Sequence, residues 1–196
     1  MRYRFLIDTY ATERLKVLSV WSMFEDADLG VRPHPTDVRG RSVQEQMVHQ
    51  VVSENLWFKN MLGIDVGTPP LPAAETRREF MARYAADSAR RLDALGHKDD
   101  AWWEEEAAFF YTLRSRAWIM VRRIAHTSHH RGQQMAMLRM LGRDVHSNYG
   151  PTADTGGLMT NRAPVIYAYE DEGTLLAGGA KAPLPGAGGK PVTERP

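Results

Sequence analysis

Apolar positions recur at helical spacing in four stretches of the chain. From about Tyr10 to Phe24, Leu15, Leu18 and Trp21 share one face with Val17 and Val20 beside them, and Gly30, Pro33 and Pro35 forbid continuation. A second predicted helix opens at Ser42 with Glu45 three residues later, a capping-box pattern, and runs to Leu62 before Gly63. A third opens in the same way at Thr76 and Glu79, carries Phe80, Tyr84 and Leu92, and stops at Gly96. The fourth runs from about Arg114 to Leu141 and stops at Gly142, so three helices share a Leu-Gly end that suits a left-handed cap.

The connections are long. "GIDVGTPPLPAAE" exceeds a tight antiparallel hairpin and suits a crossover between helices. "DDAWWEEEAAFFYTLRSR" reads as an extended piece whose Trp102, Trp103, Phe109 and Phe110 require burial. After Gly142 the composition turns Gly/Pro-rich, and "PVIYAYEDEGTLLA" has the two apolar runs and central turn of a β-hairpin at about 164–177. The final "GGAKAPLPGAGGKPVTERP" is expected to be poorly ordered unless it docks. The pattern predicts an all-α fold, a four-helix bundle over 1–142, with a loop-rich extension over 143–196.

Composition narrows the partners. A chain of 196 residues, 43% hydrophobic and 25% charged, suits one core-bearing domain. Lys+Arg 25 against Asp+Glu 24 gives a net charge of +1, which creates no general field for nucleic acid or an anionic membrane. Neither nucleic acid nor a membrane is therefore an expected partner, and a small-molecule substrate stays open. The absence of cysteine excludes disulfides, thiolate ligands and a cysteine nucleophile. Charges interrupt the N-terminal stretch every few residues, unlike a signal peptide or membrane span, so a cytoplasmic location is expected.

Chemistry concentrates in "IAHTSHHRGQQMAMLRMLG", residues 124–142. His126 and His130 lie four apart, roughly 40° from one another on a helix, in an inward stripe with Ile119, Gln133 and Met137. Two such imidazoles either grip one divalent ion or hydrogen-bond a neighbouring helix. His129 projects about 100° from His130 and reads as a flanking group. His49, at the edge of the second helix's apolar arc beside Val52 and Leu56, is the next inward histidine.

These segments, "MVHQVVSENLWFKNMLG" and "IAHTSHHRGQQMAMLRMLG", resemble the DinB/YfiT-like family of metal-dependent proteins. The likeness covers about residues 5–142 and includes the Arg131-Gly132-Gln133 run directly after the histidine pair. It implies a bundle of up-down-down-up order and one divalent metal ion, zinc or nickel, held by His49, His126 and His130. Activities in the family include transfer of low-molecular-weight thiols and hydrolysis, and the fold does not choose between them.

With no cysteine in the chain, a thiol would have to arrive as a cosubstrate. Hydrolysis by metal-activated water would want a base, for which Glu45, one turn before His49, is the catalytic candidate; its other role is the capping box. A non-enzymatic reading makes the metal a structural clip and Trp57, Phe58, Trp102 and Trp103 a homodimer interface. Arg114, Arg116, Arg122, Arg123 and Arg131 either solvate the last helix or recognise a carboxylate. Tyr149 or Asp154 in the tail would reach the metal if the tail folded back across the bundle end.

Overall fold

The computed structural model describes residues 1–186. It is mostly helical, with one two-stranded sheet. Four long helices, α1 (Arg4–Met23), α2 (Val43–Asn60), α3 (Arg77–Gly96) and α5 (Arg116–Met140), are joined by a short α4 (Asp100–Glu104) and strands β1 (Glu106–Phe109) and β2 (Thr112–Ser115). A short α6 (Glu172–Leu176) lies in the C-terminal region. α1 packs on α3 and α5, and α2 packs on the same two helices.

Local chemistry accounts for the boundaries. Ser42 Oγ accepts from the Glu45 amide at 3.2 Å and Glu45 Oε2 accepts from the Ser42 amide at 2.9 Å, the reciprocal box expected. Thr76 Oγ1 accepts from the Glu79 amide at 3.2 Å. Gly63 and Gly142 take φ of +66° and +67°, the left-handed conformation of a helix stop. Gly96 does not; it is the last residue of α3, and His97 caps it. α1 starts earlier than its predicted Tyr10 because Leu6 and Ile7 extend its buried face, whereas Leu15 is exposed.

The connection after α3 is structured. Asp99 caps α4, which buries Trp103 completely. β1 and β2 then form an antiparallel hairpin from Glu106↔Ser115 to Phe109↔Thr112, with Phe110 and Tyr111 at its tip. The single extended piece predicted here is thus a helical turn followed by a hairpin. Phe58 and Trp103 are core residues, and Trp57 and Trp102 pack partly exposed against the same cluster.

The hairpin predicted at about 164–177 does not form. Asp171 Oδ1 accepts from the Thr174 amide at 2.7 Å and starts α6, so the second apolar run becomes helix. Ile166 exchanges hydrogen bonds with Ser147, and Ala168 accepts from the Ala182 amide at 2.9 Å. α6 contacts α1 and α3, Leu175 joins the core, and Arg14 forks onto Glu172 at 2.6 and 2.8 Å. The stretch from Gly178 is docked as far as His146 Nε2, which meets the Ala182 carbonyl at 2.8 Å; the rest of that expectation, over 187–196, lies outside the described residues.

The apolar core has two parts. One gathers Val17, Trp21, Met47, Phe80, Tyr84 and Leu138; the other gathers Leu6, Tyr10, Phe58, Trp103 and Ile119. Between them runs a buried polar layer. Glu54, fully buried on α2, accepts from Tyr10 at 2.7 Å, Tyr84 at 3.3 Å and Arg91 at 3.3 Å, with Arg123 at 3.6 Å. Burial first, then the Glu54 charge, raises both tyrosine pKa values and keeps these hydroxyls as donors.

Candidate metal centre

At the edge of this polar layer, α2 and α5 bring three imidazoles together. His49 comes from the middle of α2, and His126 and His130 from successive turns of α5. One ring nitrogen of each lies within 4.8 Å of the others. The ring of His49 stands edge-on to His126 at 5.4 Å and to His130 at 4.6 Å, centroid to centroid. His130 is buried, and the other two are half-buried at the surface of the seam.

The nitrogens face one another. His130 Nε2 and His126 Nε2 are 3.2 Å apart, the separation of two nitrogens that each sit about 2.1 Å from one ion at an angle of roughly 100°. Gln133 Oε1 lies 3.0 Å from His130 Nδ1 and accepts a hydrogen bond from its N–H, which leaves the Nε2 lone pair aimed into the cluster. The Gln133 amide nitrogen in turn reaches His129 Nε2 at 3.1 Å. His126 Nδ1 is buried without a hydrogen-bond partner among the described residues.

Electrostatics keep the rings neutral. Burial, then the Arg123 guanidinium and the neighbouring imidazoles, lowers His126 to about 3. Burial and His49 bring His130 down to about 4, against the opposing Gln133 hydrogen bond. His49 is lowered by burial, then by Arg41 and Arg123. Neutral imidazole is the form that ligates a cation, and three such donors suit zinc, nickel or another nitrogen-accepting ion. The residues fit a divalent metal.

A profile of the DinB family matches residues 13–158, three quarters of the chain and both histidine-bearing helices. The chain belongs to the DinB family. This DinB-family protein is similar in fold to a DinB-like protein of Bacillus cereus, at 18% identity and a TM-score of 0.64, over 74% of this chain and 95% of that one. It is similar also to the DinB-like protein YjoA of Bacillus subtilis, at 12% identity and a TM-score of 0.56, over 71% and 94% of the two chains. No curated protein matches it.

Other candidates fall elsewhere in this DinB fold. Glu45 Oε2 holds the Ser42 amide and Arg32 Nη1, while Oε1 takes Arg32 Nη2 at 2.6 Å. The Arg32 and Ser42 bonds hold its carboxyl below the usual range, the opposite of what a general base needs. Gln133 is exposed at the site's rim, and the inward amide is Gln134, which accepts from the Trp21 indole at 3.2 Å.

The arginines divide. Arg123 and Arg131 are buried, paired with Glu54 and Glu13, while Arg114 and Arg122 are exposed and Arg116 binds Glu105. The tail residues lie off the site: Tyr149 bonds Ser128 and Glu13, and Asp154 accepts from Arg139 and the Val145 amide. Sequence reasoning missed Arg41, which adds to the field at His49 and His130, and the ring contact of Trp57 with His126. Trp57 sits eight positions after His49 on α2, a little over two turns, which is the signal that could have exposed it.

Proposed function

We propose that this chain binds a divalent metal, zinc or nickel, through His49, His126 and His130 and transfers a low-molecular-weight thiol to an electrophilic small molecule. The observation that carries the reading is the convergence of three neutral imidazoles, with no carboxylate among them in the described residues, in a protein without cysteine. When bound, such a metal would supply a Lewis acid that lowers the pKa of a thiol brought to it. Gln133 orients His130, and Arg123 beneath the site adds positive charge that favours an anionic nucleophile over its protonated form. The half-buried position of His49 and His126 leaves the site open to small molecules from the seam.

The four long helices in up-down-down-up order, a 1–142 bundle with its extension, and a homodimer working in the cytoplasm without nucleic-acid or membrane partners complete the proposal. Hydrolysis is the weaker reading because both oxygens of Glu45 are engaged by Arg32. The test compares zinc-loaded and nickel-loaded protein with His126→Ala, using an electrophilic dye with and without added thiol. Thiol-dependent turnover that vanishes in the variant, with helical circular dichroism retained, is expected. Turnover unchanged in the variant would overturn the proposal, and turnover that needs the histidines but no thiol would favour hydrolysis.

A further inference from the structure

Away from the histidines, α1 and the C-terminal extension form a cleft of about 240 Å³ between them. Thr12, Leu15, Lys16 and Ser19 recur at helical spacing, so one stripe of α1 makes the first wall. The extension, from Ser147 to Leu175, makes the second. No residue of α2 or α5 lines the cleft, which separates it from the candidate metal centre.

The walls are largely apolar. Leu175 is buried, whereas Leu15 and Tyr167 are exposed beside the half-buried Tyr169 and so mark the mouth. Leu15 belongs to the apolar face of its helix by sequence, yet the bundle does not cover it; it fronts this cleft instead. A cavity of about 150 Å³ accepts benzene, so the larger volume here takes a single ring with a short arm.

Two polar atoms of the lining residues are left over. Asn148 is 1% exposed, and its Nδ2 donates to the Lys16 carbonyl at 3.1 Å. That bond fixes the orientation of the amide and makes Oδ1 the free end, an acceptor only. Asn148 Oδ1 and Ser19 Oγ are both buried, and neither has a hydrogen-bond partner among the described residues. A buried acceptor without a donor is costly, and a ligand N–H supplies the donor.

Charge decides which kind of donor. Glu170, Asp171 and Glu172 line the cleft consecutively. Asp171 accepts from the amide and hydroxyl of Thr174, and both oxygens of Glu172 engage Arg14. Glu170 is exposed and makes no ion pair among the described residues. Lys16, the one basic residue in the lining, turns its Nζ onto Glu13 at 2.9 Å and over the Tyr149 ring at 3.9 Å.

We infer that this cleft binds a small arylalkyl ammonium ion, with its ring among Leu15, Leu175 and the two tyrosines, its N–H answering Asn148, and its charge drawn by Glu170. Such a ligand touches α1 and the extension at once, so its binding clamps the extension to the bundle.

Calorimetric titration of the full chain, metal-free and zinc-loaded, with 2-phenylethylamine, 2-phenylethanol and 3-phenylpropanoate tests it. The amine should bind about tenfold tighter than the alcohol in both metal states, and the carboxylate should not bind. It should slow hydrogen exchange in α1 and over 165–176 without changing α2. Asn148→Ala should weaken the amine about tenfold. Glu170→Gln, at an exposed and unpaired position, should erase the advantage over the alcohol with the melting temperature unchanged, and it decides the matter if Asn148→Ala does not fold.

Equal affinity for the three probes, or an amine affinity untouched by Glu170→Gln, would overturn the inference. Preference for the carboxylate would overturn it in favour of an anion site at Lys16. Amine binding that needs zinc, or exchange protection in α2 and α5 instead, would place the amine on the histidines and overturn it as well.

Discussion

Glu54 should be among the most sensitive positions in the molecule. It is fully buried and faces Arg91 and Arg123, which are 2% and 1% exposed, together with the hydroxyls of Tyr10 and Tyr84. Glu54→Ala strands two desolvated guanidinium groups, and removal of one partner from a buried pair costs about 3–5 kcal/mol. The two tyrosine hydroxyls lose an acceptor at about 1 kcal/mol or more each. Bonds from Arg91 to Asn55 and from Arg123 to Ser53 and Thr127 survive and offset part of this.

A net loss of about 4 kcal/mol follows, a fall in melting temperature of roughly 8–16 °C for a chain of this size. Urea unfolding followed by tryptophan fluorescence, with calorimetry alongside, measures it. The causal claim is that uncompensated charge dominates, so Arg91→Met placed on Glu54→Ala should recover at least about 1 kcal/mol in a double-mutant cycle. A single-variant loss below about 1 kcal/mol, or an additive cycle, would refute the reasoning.

Other expectations concern the metal, the tail and pH. A divalent ion at one hundred times its dissociation constant should stabilise the wild type by about 2.7 kcal/mol and His126→Ala hardly at all, read from thermal shifts with and without chelator. Leu175→Ala should cost about 2 kcal/mol, near the low end for a buried leucine because α6 lies at the periphery, and should expose the region around α6 to hydrogen exchange before the bundle. Burial would raise the Asp28 carboxyl, but hydrogen bonds from Arg143 and the Glu25 amide outweigh it and hold the pKa below the ordinary value. Its stabilising contribution is therefore complete above the unfolded carboxyl pKa of about 3.9 and disappears as pH falls through the lower folded value. Limited proteolysis after α5 should accelerate over that acid range, and Asp28→Asn should show the faster cleavage at neutral pH as well.

Much of this architecture is written locally in the chain. Ser42 with Glu45, and Thr76 with Glu79, announce their helices because a cap is decided within four residues. The pair His126 and His130 is legible for the same reason, since helical spacing alone places both rings on one face. Arg123 and Arg131 look like solvated charges because their partners, Glu54 and Glu13, come from other helices. The hairpin at 106–115 carries no Gly or Asn at its tip, and Phe110 occupies the left-handed position instead. In the tail, two apolar runs about a central turn suggest a hairpin, but Asp171 caps a helix and the docked bundle surface supplies α6 with its partners.

The buried polar layer also acts as a ruler. A continuous apolar seam between two helices would tolerate sliding, because one leucine replaces another at similar cost. A slip of α5 by one turn, about 5.4 Å, would instead carry the buried Arg123 guanidinium away from Glu54 and Ser53. The pairing of Arg123 with Glu54 and Ser53 thus ties α2 and α5 to one axial alignment. His49 belongs to one of these helices and His126 and His130 to the other, so the vernier that keeps three nitrogens within reach of a common point is the neighbouring salt-bridged layer, a single turn away at Arg123.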